Sequence, residues 1–378
     1  MAEGEGDDLV DDVVEIIILK LPLKSILKFR CVSKKLSCRI SDYRFSRRHY
    51  KLARCQKTVN HRLIIISSSQ MESLDLQAKS SSIRKLTCPF LELEQWRFLQ
   101  VTLLVSSSGL VCASLDPHKN FILWNPSTTF FSKLPDPDLG GYFSEEEAEE
   151  VEFSVYHYGF GCVSATDDYK LLIWFRINSD FEELLIFSWK NQIWRAISGA
   201  PKWINRITQS QGALSNEKLH WHFDQNNGLY ESHEEEDCIL TFDLENEEFG
   251  KLSLPDFDDN DDHLEYANLL GVSCEGCLYV LHHMEDWFSS MTSASIWYMK
   301  EYGVTDSWSK LFDLKISHEP LEPITCLGPI FFMEKSSAYG YGNKFTEIKY
   351  QHQPQPHIDL LKRENLLDMI VCEETLSR

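Results

Sequence analysis

Thiols, imidazoles and carboxylates at short spacing are the groups with which this chain could do chemistry. Cys274-Glu-Gly-Cys277 has the spacing of half a zinc site, because two thiolates held two residues apart can reach the same tetrahedral ion. No second pair stands at ribbon or finger distance, so a hairpin turn with two incidental thiols is the better reading. His220 and His222 would share one face of a strand, and His282-His283 lies in another. Metal binding would need them to converge from separate sheets. The stretch Asp256 to His263 superficially suggests calcium. Counted from Asp256 or Asp258, however, the position that needs glycine holds Asp261 or His263, and the twelfth-position Glu is missing. A Gly-rich phosphate cradle, a Gly-x-Ser-x-Gly elbow and an activated Cys/His pair are all absent. The expectation is a chain with no catalytic residue, no cofactor and no metal of its own.

Bulk properties narrow the partners. The chain has 378 residues and 43% apolar content, enough for one large or two ordinary packed domains. Net charge is -21, which would repel phosphate backbones, so nucleic acid is not an expected partner. The charge is unevenly placed. Lys20 to Arg62 holds fourteen Lys or Arg and one acid, Asp42, whereas acidic runs follow at Glu145 to Glu150, Glu234 to Asp237 and Asp256 to Asp262. A basic module on an acidic body suggests that the first sixty residues meet an acidic protein surface. Eleven cysteines at irregular spacing, without a signal peptide, read as reduced thiols of the cytoplasm or nucleus. No apolar run approaches the roughly 20 residues that span a bilayer, so no membrane association is expected.

The elements that would position these groups change character near residue 58. From Leu9 to about Tyr50 apolar residues recur at helical spacing: Val10, Val13, Val14, Ile17, Ile18 and Leu21, with acids Asp11, Asp12 and Glu15 in the first turns. That helix is expected to end at Pro22. Ser25 sits where a cap belongs, ahead of Ile26, Leu27, Phe29 and Val32, and Ser33 can cap a third short helix carrying Leu36 and Ile40. Three helices of this size form a marginal core, and their apolar face should rest on another surface.

This segment resembles a plant F-box. The carrying residues are Leu21, Pro22, Lys24, Ser25, Leu27, Phe29, Arg30, Cys31, Val32, Ser33, Lys34, Ile40, Ser41, Asp42, Phe45 and His49. Departures are Val10 where the family has its first Pro, Ile16 where it has Glu, and Leu36 where it has Trp. The resemblance implies that residues 1–52 dock a Skp-type adaptor, and through it a cullin, using Leu9, Val13, Ile17, Leu21, Pro22, Lys24, Ser25, Leu27, Phe29, Val32 and Leu36.

From about Asn60 short apolar runs alternate with turn residues, the pattern of an all-β fold. Hairpins of one kind begin at Ser107, His157, Gly212 and Leu269; those of a second kind follow at Ile122, Leu184, Cys238 and Ile296. Two hairpins every 55 to 60 residues make one four-stranded blade, so residues 58–378 are expected to form a β-propeller of about six blades, with a β-sandwich as the alternative. Trp124, Trp194, Trp221, Trp297 and Trp308 are expected between blades; Asn125-Pro126 and Asp243 in turns; and Gly159 and Gly161 at a tight strand junction.

The body also resembles the F-box-associated, kelch-like domain of a large plant family. Gly109-Leu110-Val111-Cys112, Trp124-Asn125-Pro126, Tyr158-Gly159-Phe160-Gly161, Leu219-His220-Trp221 and Ile296-Trp297 carry the likeness. The family includes S-locus proteins of self-incompatibility and regulators of defence and development. What it implies is a non-catalytic substrate receptor of a ubiquitin ligase; separately, the acidic stretches of this chain would favour a basic target protein. A β domain that binds a glycan or small molecule beside a degenerate F-box is the alternative.

Overall fold

In the computed structural model four helices precede a ring of four-stranded antiparallel sheets. The structure describes residues 4–376 except 68–70, 77–82, 88–100, 117–118, 138–152, 178–180, 200, 202–205, 226–235, 258–263, 274, 287–290, 318–320, 328–329, 336–343, 350–356 and 362–365. The acidic run at 145–150 and Cys274 therefore lie outside the described residues, as do parts of the other two acidic runs.

The helices are α1 (Gly4–Leu19), α2 (Leu23–Phe29), α3 (Lys34–Ile40) and α4 (Tyr43–Cys55). Three had been expected. The fourth is strongly amphipathic but mostly polar, and its start is set by Asp42, whose carboxylate accepts the Arg44 and Phe45 N–H groups at 2.7 and 3.4 Å. Ser33 caps α3 as expected, accepting from Leu36 N–H at 3.1 Å. Ser25 does not cap α2. Pro22 holds that position in extended backbone, and its carbonyl accepts the Ser25 N–H at 2.9 Å.

The body contains β1 (His61–Ser67), β2 (Met71–Asp75) and β3 (Ile83–Leu86); then β4 (Thr102–Ser107), β5 (Leu110–Asp116), β6 (Lys119–Asn125) and β7 (Phe130–Lys133). Next come β8 (Phe153–Val163), β9 (Asp168–Ile177), β10 (Phe181–Ser188) and β11 (Ile193–Ala196), followed by β12 (Ala213–Ser215), β13 (Lys218–Phe223), β14 (Cys238–Asp243) and β15 (Phe249–Leu252). The remainder are β16 (Leu264–Val272), β17 (Leu278–Asp286), β18 (Met291–Met299) and β19 (Trp308–Ser317), then β20 (Leu321–Leu327), β21 (Ile330–Lys335), β22 (Lys344–Lys349), β23 (His357–Leu361) and β24 (Leu366–Glu373). Five sheets, β4–β7 through β20–β23, each use four consecutive strands. A composite sheet in the order β24-β1-β2-β3 joins the two ends of the body. Where the sequence suggested about six equivalent repeats, five blades are contiguous chain and the remaining sheet is assembled from distant segments.

Core side chains lie between neighbouring sheets, which excludes a two-sheet sandwich. Phe121, Leu123, Phe160, Leu171 and Phe187 join the β4–β7 and β8–β11 blades, and Trp174, Leu219, Trp221 and Phe242 join the next pair. Trp124, Trp221 and Trp308 are buried, and Trp194 packs on Phe121 and Phe187, so the tryptophans are interblade fillers. Gly159 and Gly161 are not at a turn. Both lie inside β8, where an added Cβ would stand 2.5 Å from Leu219 and 2.6 Å from Leu244, so they permit close blade packing. The turn residues behave as expected: Asn125 accepts from Ser127 and Thr128 N–H, and Asp243 from Glu245 and Asn246 N–H.

Candidate protein-docking site

The helical head has two apolar faces with different fates. On one, Ile18, Leu19, Leu23, Ile26, Ile40 and Phe45 form a buried cluster completed by Leu376. Leu376 follows β24 and is only 3% exposed, so a segment more than 300 residues away fills this small core. Ser46 anchors it by donating to the Leu376 carbonyl at 3.1 Å, and His49 bonds the Leu21 carbonyl at 3.1 Å. Burial lowers the His49 pKa, keeping the ring neutral near pH 7.

The other face is bare. Val13, Ile16 and Ile17 on α1 are 50, 51 and 55% exposed, Phe29 at the end of α2 is 37% exposed, and Val32 is 67% exposed. Five large apolar side chains crowded onto a 20-residue stretch are more than the scattered exposure normal for a surface. Lys20 after α1, Lys28 in α2 and Lys34 at the start of α3 are exposed close to these residues in the chain.

The residues singled out in the sequence divide between these faces. Val13, Ile17, Phe29 and Val32 are exposed, as are Pro22 and Lys24, while Ser25 is partly buried. Leu21, Leu27 and Leu36 instead pack against the internal cluster. Leu9 belongs to α1, and its side chain lies outside the described residues. Ile16, read as a departure from the family pattern, extends the exposed row; its signal was its position three residues after Val13.

A joint of specific polar contacts fixes the head on the body through α4. Arg47 pairs with Asp167 at 2.5 Å and donates to the Ser164 carbonyl at 2.8 Å. Tyr50 donates to Glu373 at 2.6 Å, Lys57 pairs with Glu275 at 2.7 Å, and Lys24 approaches Asp75 at 3.7 Å. Burial, together with the hydrogen bond to Asp167, raises the Tyr43 pKa, so the phenol stays a donor. Between α4 and the inner strands a chamber of about 1030 Å³ remains. The inner strands run toward α4, as the ends of β4 and β24 at Ser107 and Glu373 line that chamber. Strands β8 and β16 begin five residues before Tyr158 and Leu269 and so extend past the chamber, whereas β12 lines it from Ala213 onward.

Two family models divide the chain at this joint. Residues 7–48 match the F-box domain, and residues 61–350 match the F-box associated beta propeller domain. The chain belongs to the F-box proteins with an associated β-propeller. Among its relatives, the F-box protein CPR1 of Arabidopsis thaliana is 28% identical over 323 residues, covering 80% of this chain and 72% of that protein. The F-box/kelch-repeat protein At3g23880 of the same plant is 26% identical, covering 80% and 78%. Of solved structures, the β-propeller domain of Cps50 (Swd1) from Myceliophteria thermophila aligns at 14% identity and a TM-score of 0.35, covering 72% of this chain and 76% of that one; the assignment does not rest on it.

In this F-box protein the histidines that suggested metal chemistry serve as interior hydrogen-bonding groups. His222 and His282 do converge from separate blades, but around Asn268: His282 Nδ1 is 2.8 Å from Asn268 Oδ1, and Asn268 Nδ2 is 3.4 Å from His222 Nε2. Phe257 stacks on His282 with centroids 3.9 Å apart. His220 lies between the Ala213 carbonyl and the Tyr302 hydroxyl at 2.9 and 2.8 Å. Burial pulls His220 and His222 down to about 4, so both are neutral in the folded protein at pH 7. Cys277 is a free thiol.

Proposed function

We propose that this F-box protein is the target-receiving subunit of a Skp-cullin-F-box ubiquitin ligase and itself performs no bond chemistry. The observation that carries the reading is the exposed row Val13, Ile16, Ile17, Phe29 and Val32, left open although the rest of the head has buried its apolar side against the chain's own Leu376. A Skp-type adaptor supplies the missing cover and links to a cullin. Apolar anchors provide affinity, and nearby Lys and Arg steer an acidic partner into place. Pro22, Lys24 and Ser25 border the contact, while Leu21, Leu27 and Leu36 shape it from beneath.

The target is received at the propeller end remote from α4, where β8 and β16 begin and where loops can vary without disturbing blade packing. The acidic sequence of the segments joining these strands suits a basic protein target. Turnover then comes from proximity: a rigid joint holds a target lysine near a charged ubiquitin carrier, raising effective concentration. The free thiols among the described cysteines fit a reducing compartment, cytoplasm or nucleus.

The test is direct association. The full-length chain, mixed with a purified Skp-type adaptor at matched ionic strength, is expected to co-elute as a one-to-one complex. Absence of a complex, while circular dichroism shows a folded chain, would overturn the reading.

A further inference from the structure

The blade β8–β11 presents an aromatic ring that its own core does not use. Across from β9, Val155 pairs with Phe175 and His157 with Trp174, which leaves Tyr156 as the extra residue of a bulge in β8. Val155, Trp174 and Phe175 are buried, whereas Tyr156 is 43% exposed. The bulge is pinned by the stretch before β12. His157 Nδ1 lies 3.0 Å from the Gln209 carbonyl, the Tyr158 N–H donates to the Ser210 carbonyl at 2.9 Å, and the Gly212 N–H donates to the Tyr158 carbonyl at 2.7 Å. The chamber lining starts along β8 at Tyr158, so the Tyr156 ring belongs to the part of the strand that extends past the chamber.

Two side chains on the adjacent strands converge on this ring. The Arg176 guanidinium of β9 lies over it, 4.7 Å from the centroid. Arg176 is tied in turn to Glu182 of β10: its Nε donates to Oε1 at 2.9 Å, and its Nη2 donates to the same oxygen. Glu182 is exposed, and its Oε2 accepts no hydrogen bond among the described residues. The guanidinium charge is therefore matched, while part of the ring and one carboxylate oxygen remain available, both anchored to the same arginine. The adjoining sequence is acidic. Six glutamates lie between residues 145 and 152, immediately before β8, with no Lys or Arg among them, and Asp180 stands just before β10. Exposed aromatic and arginine side chains are the types over-represented where proteins meet.

We propose that Tyr156 and Glu182 form a docking point for a lysine or arginine side chain in a basic segment of the target protein. The incoming cation rests on the Tyr156 ring and donates to Glu182 Oε2, and Arg176 is the positioning residue that holds both. This rests on the reading of the propeller as the target-receiving part and gives that part an anchor. A ring face attracts a cation through its quadrupole, and the carboxylate adds a charge-assisted hydrogen bond. The bulge, the stacked guanidinium and the ion pair set this geometry before a target arrives, so little freedom is lost on binding. The acidic sequence before β8 adds longer-range attraction, which salt weakens.

The experiment follows the fluorescence anisotropy of a labelled peptide of alternating Lys and Gly titrated with the full-length chain at constant ionic strength. The same peptide with every lysine acetylated, and one with Glu in place of Lys, serve as comparators. The Lys peptide is expected to bind saturably and the other two to show no binding. Tyr156→Ala and Glu182→Gln are each expected to weaken binding about three- to tenfold without moving the thermal unfolding midpoint, and Tyr156→Phe, which keeps the ring, to bind like the wild type. Phe131→Ala removes a ring that is 45% exposed on β7 and should change nothing. Any of four results overturns the proposal: no saturable binding of the Lys peptide, equal binding of the acetylated peptide, affinity preserved when Tyr156 and Glu182 are both replaced, or a loss in Phe131→Ala or Tyr156→Phe as large as in Tyr156→Ala. Co-elution with the adaptor separates this outcome from the ligase reading. No adaptor complex with the wild-type chain removes the ligase role and leaves the docking point standing, whereas an intact adaptor complex without peptide binding removes the docking point alone.

Discussion

The two apolar faces of the head are built from neighbouring residues of one helix yet follow opposite rules. Ile18 and Leu19 are buried within the chain, whereas Ile16 and Ile17 stand in solvent. Composition does not distinguish them; isoleucine occurs on both sides. What distinguishes them is the presence of Leu376 and α4 on one side and the absence of any covering segment among the described residues on the other. A face closed by the chain itself maintains the fold, and a face left open is available for a partner.

The widest separation between the faces is expected from Leu376→Ala. It should lower the stability of the full-length chain by about 2 to 5 kcal/mol, since it opens a cavity in a core with few other members. Urea unfolding measures it; a loss below about 0.5 kcal/mol would mean that the tail does not hold the head. The complementary change, Ile17→Glu with Val32→Glu, should leave stability unchanged while weakening adaptor binding about 100-fold or more, as expected for central interface anchors. Calorimetry with the adaptor reads this directly, and unimpaired binding would show that the open face is not the docking surface.

Next in size is Gly159→Ala, expected to cost about 1 to 3 kcal/mol by pushing β8 off Leu219, with adaptor affinity intact. Equal loss of affinity would indicate that propeller packing reaches the open face. Acid sharpens the contrast further. The folded-state pKa of His49 lies below its unfolded value, so its contribution is fully present above the unfolded pKa of about 6.5 and is lost as pH falls below it. His220 and His222 do the same across the window from about 6.5 to about 4. Stability should therefore fall over that window, and His49→Gln should flatten the part that comes from the head. A rise in stability on acidification would contradict the burial of these rings. The smallest effect is Asp167→Asn, about 1 kcal/mol or less from a partly exposed pair, visible as faster hydrogen exchange in α4.

Much of this organisation was legible in the sequence because it is local. Inner hairpins such as β4–β5 and β8–β9, and outer ones such as β6–β7 and β14–β15, announced themselves by alternating apolar runs and Asn or Asp turns. Ser33 at the start of α3 and the exposed Val13, Ile17, Phe29 and Val32 were equally readable. The missed features depend on distant partners. Helix α4 is rich in cations, and its value lies in what Phe45, His49 and Arg47 meet elsewhere. Leu21 and Leu36 share the hydrophobicity of Val32 but turn inward, a choice made by packing against α4 and Leu376. Gly159 looked like a turn residue because the neighbouring blade that crowds it lies sixty residues on, and the His222–Asn268–His282 bridge draws on three strands from two blades.

The composite sheet has a kinetic consequence. Buried Arg62 donates to Glu374, and these residues are 312 positions apart, in the sheet where β24 pairs with β1. Bringing such remote segments together is an entropically late event, since closure of a long loop is slow to be rewarded. Leu376 arrives in the head by the same closure, so an unclosed ring leaves an F-box with a missing core residue. Folding thus imposes its own inspection: under the function proposed above, a chain whose propeller has failed to close would offer an adaptor only an imperfect helical head.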